Sequence, residues 1–192
     1  ENHRTPTPKP RGISITFSEK VVHDLAKFPA HGIPLRHAAW KRFGTGAANG
    51  PVLIESGCGT GAGRRLEHKE ECLMEYRYSI AVENSQMENW LTEKIIDCFI
   101  TGTVPIYWGA PNIGQFFDTA GIITFQTLDE LREILANQLG TAEKREADYQ
   151  ARLRSGAIQR NFEIVMKEYS EVNGVVNRLK RMFVGPGGAM ST

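Results

Sequence analysis

Four polar side chains, Glu83, Asn84, Glu93 and Lys94, fall in one stretch of the sequence, YSIAVENSQMENWLTEKIIDCFITGTVPIYWGAPN. Carboxylates offer acceptor oxygens for hydroxyl groups and lysine offers a compact cation for an anion, so the four are expected to line a ligand site. The elements that must position them are written in the same stretch. It runs from a short apolar strand through a polar segment into an amphipathic helix, then into a second apolar strand ending at Gly109. Thr92 is placed to cap the helix, and Ile95, Ile96 and Phe99 form its apolar stripe. In doubly wound folds such strand exits are where ligands sit.

Composition narrows the classes. A chain of 192 residues holds one well-formed core and a helical tail. Lys+Arg 23 against Asp+Glu 22, a net charge of +1, lacks the basic field of a general nucleic-acid binder. Cys58, Cys72 and Cys98 show neither a CxxC pair nor metal-ligand spacing, so unbridged, buried thiols are expected rather than a disulfide framework or a zinc site. No apolar run reaches transmembrane length, and no membrane contact is evident.

Along the chain, ENHRTPTPKP reads as an extended leader, and GISITF is a first strand with Ile13, Ile15 and Phe17 alternating. KVVHDLAKF is either a short helix or a loop with helical turns, broken by Pro29, Gly32 and Pro34. Leu35 to Phe43 is a helix carrying Arg36 and His37 near its positive end. PVLIE reads as a brief second strand, followed by the glycine-rich SGCGTGAG. That run matches a dinucleotide fingerprint poorly, and either a surface loop or a substrate-contacting loop fits it. A short helix from Lys69 to Glu75 leads to the strand at Tyr78 to Val82. Beyond the opening stretch come a helical turn at Asn112 to Phe117, a strand in GIITF, and a helix from Leu128 to Leu139 whose Thr127 and Glu130 have the form of a capping box. A charged helix opens at Thr141 and reaches Leu153. A last helical pattern runs from Ile158 to Phe183 with a bend allowed at Gly174. The alternation predicts an α/β fold with a mostly parallel sheet covered on both faces.

The ordered block ENS, then TEK followed by II, then the segment from Gly102 to Pro111, GTVPIYWGAP, resembles the donor-binding core of glycosyltransferase family ten, the alpha-1,3-fucosyltransferases. The likeness extends over roughly Gly12 to Leu135. It implies a Rossmann-like three-layer domain resembling the C-terminal half of a GT-B glycosyltransferase, with a flexible leader over residues 1–11, the GDP-sugar-binding domain over 12–155, a packed C-terminal helix over 156–184 and a flexible tail over 185–192.

The resemblance also implies roles. Arg36 corresponds to the arginine that meets the donor phosphates, Asn84 to a nucleotide or sugar contact, Glu93 to the ribose contact and Lys94 to the diphosphate contact. Ser85, Thr92 and Tyr107 are further donor-site candidates, with Tyr107 and Trp108 walling the base or sugar or simply packing at a strand end. Arg36 and Lys94 would stabilise the departing GDP, and Glu83 is the nearby carboxylate that could serve as a base. His31, His37 and Asn112 are weaker candidates. Taken singly, each charged residue is more commonly a solvated or salt-bridged surface group.

The implied reaction is transfer of L-fucose from GDP-fucose to a glycan hydroxyl with inversion, with no essential metal and no cofactor beyond the donor substrate. The likeness covers the donor half, so an N-terminal acceptor domain or a second subunit is an expected partner. The compartment would be cytoplasmic for a bacterial or viral protein and the Golgi lumen for part of a longer eukaryotic enzyme. Alternatives are a non-catalytic GDP-sugar or glycan-binding module, another nucleotide-dependent Rossmann-like enzyme, and a helical interaction protein.

Overall fold

The computed structural model describes residues 9–16, 32–45, 53–58 and 71–169. Strand β1 (Arg11–Thr16) is followed by α1 (Gly32–Phe43), β2 (Ser56–Cys58), α2 (Glu71–Met74), β3 (Tyr76–Val82), α3 (Glu93–Ile100) and β4 (Val104–Trp108). Two 3-10 turns, Ile113–Gln115 and Thr119–Gly121, lead to β5 (Ile123–Thr124), then α4 (Leu128–Glu133), α5 (Ala142–Arg154) and α6 (Ala157–Glu168). Among the described residues the strands form one sheet in the order β2-β1-β3-β4-β5, and every pairing is parallel. This order reverses direction between β1 and β3, the point at which a crevice opens beyond the strand ends.

Successive residues of a strand face opposite sides, and here each side has its own core. Ile13, Ile15, Tyr78, Ile80, Val82, Ile106 and Trp108 pack with Ala39 and Phe43 of α1, Leu131 of α4 and Tyr149 of α5. Ala81 and Tyr107 face the other way, onto Ile95, Ile96 and Phe99 of α3 and Val165 of α6. Strands buried on both faces are apolar for most of their length: VPIYW is buried throughout, and YRYSIAV is interrupted only by Arg77 and Ser79. Each such large side chain contributes about 1.5–3 kcal/mol by leaving water. The polar exceptions are paired: Ser14 donates to the Cys72 carbonyl at 2.8 Å and lies 3.1 Å from the Ser79 hydroxyl.

Several local expectations shift. Helix α1 begins at Gly32 and runs through Pro34, because a proline in the first turn lacks only an N–H that has no intrahelical acceptor there. The strand expected in PVLIE is displaced to Ser56–Cys58: the amides of Leu53 and Ile54 both donate to the Phe43 carbonyl at 2.9 Å, which draws this backbone to the end of α1. The strand in GIITF is only Ile123–Thr124. The helix expected to run to Leu139 leaves α geometry after Glu133 and finishes as a π-helical turn, Ile134–Gln138. Its Thr127 cap forms, accepting from Glu130 N–H at 3.1 Å, while Glu130 Oε2 reaches one residue further back to Gln126 N–H at 2.7 Å. Helix α6 is described to Glu168, and the pattern beyond Tyr169, with Gly174, lies outside the described residues. Cys72 is disulfide-bonded, against the expectation of unbridged thiols throughout, whereas Cys98 is a buried thiol.

Candidate functional site

The exits of β1 and β3, the first turns of α1 and α3 and the turn after β4 converge at the point where the sheet reverses. Beyond Val82 the chain passes Glu83 and Asn84, and the Gly32 N–H that opens α1 donates to the Asn84 carbonyl at 2.9 Å. A Cβ on Gly32 would overlap the carbonyl oxygen of Glu83, so this close approach of helix to strand end requires glycine. One turn into α1, Arg36 is buried, its Nη2 donating to Asn84 Oδ1. Burial lowers the Arg36 pKa, and the negative charges of Glu83 and Glu93 act against that shift. An arginine held here without solvent needs acceptors, and the site supplies them.

Helix α3 brings the second cation. Thr92 is its cap, with extended backbone geometry and an Oγ1 that accepts from Lys94 N–H at 3.5 Å. Lys94 Nζ donates to the same Oγ1 at 2.9 Å and to Glu93 Oε1 at 3.1 Å, and lies 3.5 Å from Glu83 Oε2. Glu83 is 0% exposed, and its carboxylate accepts from Thr92 N–H at 2.9 Å and from Thr92 O–H at 2.5 Å. Glu93 and Asn84 are exposed and Ser85 is half-buried, so these side chains border the crevice.

Tyr107 is 1% exposed and belongs to the core beneath α3. Its hydroxyl accepts from Ala110 N–H at 3.0 Å, and a Cβ on Gly109 would overlap that hydroxyl. Burial raises its pKa. The aromatic-wall expectation for Tyr107 and Trp108 thus meets two rings buried on opposite faces of the sheet, Trp108 among the residues under α1. His37 is half-buried on α1, while His31 and the glycine-rich run beyond Cys58 lie outside the described residues.

Sequence reasoning missed two features. Gly32 was read as a breaker, although a glycine just before a helix is equally a point of close approach. Asn89 and Asn112 form a reciprocal clasp, Asn89 N–H donating to Asn112 Oδ1 at 2.9 Å and Asn112 Nδ2 to Asn89 Oδ1 at 2.8 Å. The clasp fixes the loop between β3 and α3 against the exit of β4, with Asn89 at a φ of 60°, a left-handed conformation that asparagine tolerates. Exposed Met87 and Trp90 ride on that loop.

At the opposite end of the sheet lies a cleft of about 580 Å³. Arg145 faces Glu55 there at 3.3 Å, and Arg77 pairs with Glu146. These two ion pairs mark that cleft, and the crevice at the strand exits gathers an arginine and a lysine from different helices. Among the described residues no group of three or more His, Cys, Asp or Glu side chains is placed to hold a metal ion, and no helix is long and apolar enough to cross a membrane.

The model of the glycosyltransferase family 10 (fucosyltransferase) C-terminal region matches residues 51–169. The chain belongs to glycosyltransferase family 10. Among family relatives, the alpha-(1,3)-fucosyltransferase FucT of Helicobacter pylori is 35% identical over 71 residues, 35% of this chain and 15% of that protein. Alpha-(1,3)-fucosyltransferase B of Drosophila melanogaster is 44% identical over 41 residues, 21% of this chain and 9% of that one. A crystal structure of an alpha1,3-fucosyltransferase superposes with a TM-score of 0.54 at 26% identity, covering 77% of this chain and 39% of that chain. One with GDP-fucose superposes at 0.55, covering 85% of this chain and 49% of that chain, a likeness of fold at 22% identity. The match to the solved structures therefore spans less than half of their length. The α/β fold with its parallel sheet is that of these solved alpha1,3-fucosyltransferases.

Proposed function

We propose that this family 10 domain binds GDP-fucose and serves as the donor-holding half of a fucosyltransferase that transfers L-fucose to a glycan hydroxyl with inversion. The observation that carries the proposal is the convergence of Arg36 and Lys94 at the sheet reversal, one beside Asn84 and the other beside Glu93. Two cations from two helices suit a diphosphate that gains charge as the sugar departs. Arg36 offers a planar fork for phosphate oxygens and Lys94 a point charge. Glu93, exposed and rich in acceptors, suits the vicinal hydroxyls of the ribose. Asn84 and Ser85 border the same crevice and are assigned to the nucleotide or sugar, and Thr92 supports the anion side through Lys94, its own N–H and O–H both donating to Glu83. Tyr107 contributes by supporting the Gly109–Ala110 turn.

Titration of the full chain with GDP, followed by R36A, E93A and K94A, tests the assignment. Binding by the wild type that drops in all three variants supports it. No binding by the wild type, or no loss in any variant, rejects it.

A second reading, donor binding without transfer by this chain alone, is favoured by the sealed carboxylate of Glu83. A general base must reach the acceptor hydroxyl, and Glu83 has both oxygens engaged and no exposure. In this reading the base is not Glu83 and comes from an acceptor domain or second subunit. Transfer by a longer parent protein but not by the 192-residue chain would support this division of labour, and transfer by the chain alone would remove it.

A further inference from the structure

Glu83 makes none of the donor contacts assigned above, yet its side-chain bonds lead to groups that do. Oε1 accepts from the Thr92 amide at 2.9 Å, Oε2 accepts from the Thr92 hydroxyl at 2.5 Å, and the same Oε2 lies 3.5 Å from Lys94 Nζ. Its own amide donates to the Trp108 carbonyl at 2.8 Å, and its Cγ lies where a Cβ on Gly109 would collide with it. The residue thus ties the exit of β3 to the exit of β4 and to the first turn of α3.

The direction of the hydrogen bonds carries the argument. A threonine hydroxyl has one proton and two lone pairs. Thr92 gives its proton to Glu83, which leaves the lone pairs for Lys94, whose N–H and Nζ approach at 3.5 Å and 2.9 Å. The buried carboxylate orients the hydroxyl, and the oriented hydroxyl seats the ammonium. Glu93 is the outer partner of Lys94, at 3.1 Å and exposed. It can turn to another ligand without unseating the lysine.

We propose that Glu83 is a positioning residue that, through the Thr92 hydroxyl, holds Lys94 where it meets the donor diphosphate. The proposal rests on the assignment of Lys94 to the diphosphate. Two effects of Glu83 oppose each other. Its negative charge repels an anion, so charge alone predicts that neutralising it tightens GDP binding. Its hydrogen bonds predict the reverse. In Glu83→Gln an amide N–H facing the Thr92 oxygen competes with Lys94 for the lone pairs, and the hydroxyl proton loses its acceptor. Because Glu83 touches Thr92 directly, at 2.9 and 2.5 Å, and its charge is already met by Lys94 at 3.5 Å, the positional effect is expected to be the larger one.

The test is GDP titration calorimetry on the full chain as wild type, E83Q, K94M and E83Q/K94M, with folding checked by circular dichroism. Roughly tenfold weaker binding is expected for E83Q, the usual size of a coupling between charged groups in contact. That loss is expected to vanish in the K94M background. E83Q binding as tightly as the wild type or tighter overturns the proposal, and so does a loss that persists undiminished with K94M. If the wild type does not bind GDP, or K94M binds it unchanged, the assignment of Lys94 fails first and this inference falls with it. Should E83Q not fold, T92V removes the connecting hydroxyl at nearly constant volume. A loss in T92V that disappears in T92V/K94M supports the proposal, and a loss independent of Lys94 overturns it.

Discussion

Arg36 and Asn84 meet at the sheet reversal: the guanidinium donates to Asn84 Oδ1 while the Asn84 carbonyl receives the amide of Gly32, one helical turn earlier on the same helix. One residue at the end of β3 is thereby linked to α1 through both its side chain and its backbone. The arrangement fixes where the Arg36 guanidinium of α1 stands relative to α3.

Replacing Arg36 by lysine keeps a positive charge but loses the planar fork. GDP affinity is expected to fall by about tenfold in R36K and by more in R36A, read by calorimetry. An R36K protein that binds like the wild type would show that charge alone suffices.

Gly32→Ala places a methyl group against the Glu83 carbonyl, a backbone atom that cannot rotate away. A loss of roughly 1–3 kcal/mol in urea unfolding is expected, the range for overpacking a tight contact. Weaker GDP binding should accompany it, because α1 carries Arg36.

Lys9 is buried, donating to the carbonyls of Leu73 and Met74 at 2.9 and 3.0 Å and to the Thr103 hydroxyl at 3.0 Å. Burial pushes its pKa down from 10.5 to about 7, with Cys98 acting upward and Arg77 downward. Between those two values the unfolded chain binds more protons, so this group makes stability rise with pH across that window and withholds its contribution below about 7. The stability difference between wild type and K9M, from urea unfolding near neutral pH and at a pH two to three units higher, is therefore expected to grow with pH. A difference that stays flat would mean that the three oxygens keep the ammonium charged throughout.

Cys72 lies in α2 with a fully buried side chain and is disulfide-bonded. Reduction, or C72S, is expected to cost about 2–4 kcal/mol, read as a lower Tm with dithiothreitol. An unchanged Tm would show that packing at this end of the sheet suffices without the bridge.

What was legible in the sequence was local. The unit from β3 to β4 carries its own signals: an apolar run, a threonine cap at Thr92, an amphipathic stripe and a glycine stop, each acting over a few residues. The beginning of α1 was not legible, because Gly32 and Pro34 look the same whether they break a helix or start one. Its start is decided by contact with Glu83, remote in sequence. The bridging of Cys72 depends likewise on what the fold brings near it. Glu83 is the sharpest case. Glu83 and Asn84 are both expected to line a ligand site, yet the fold seals one and exposes the other, since adjacent residues leaving a strand point in opposite directions. For Tyr107 and Trp108 the two expectations are walling a ligand or packing at a strand end, and both rings are buried in the two cores.

The strand order has a consequence for how the molecule comes together. Tyr78 pairs with Val104 across a single helix, whereas Arg11 must find Tyr76 from 65 residues away. Closing the longer loop costs more chain entropy before any contact rewards it, so β3, α3 and β4 form the early folding unit and β1 with α1 docks onto it later. Lys94 and Glu93 belong to the early unit and Arg36 to the late one. The two cations become neighbours only when folding is nearly complete, and recovery of GDP binding during refolding should track this last docking event rather than the appearance of helix.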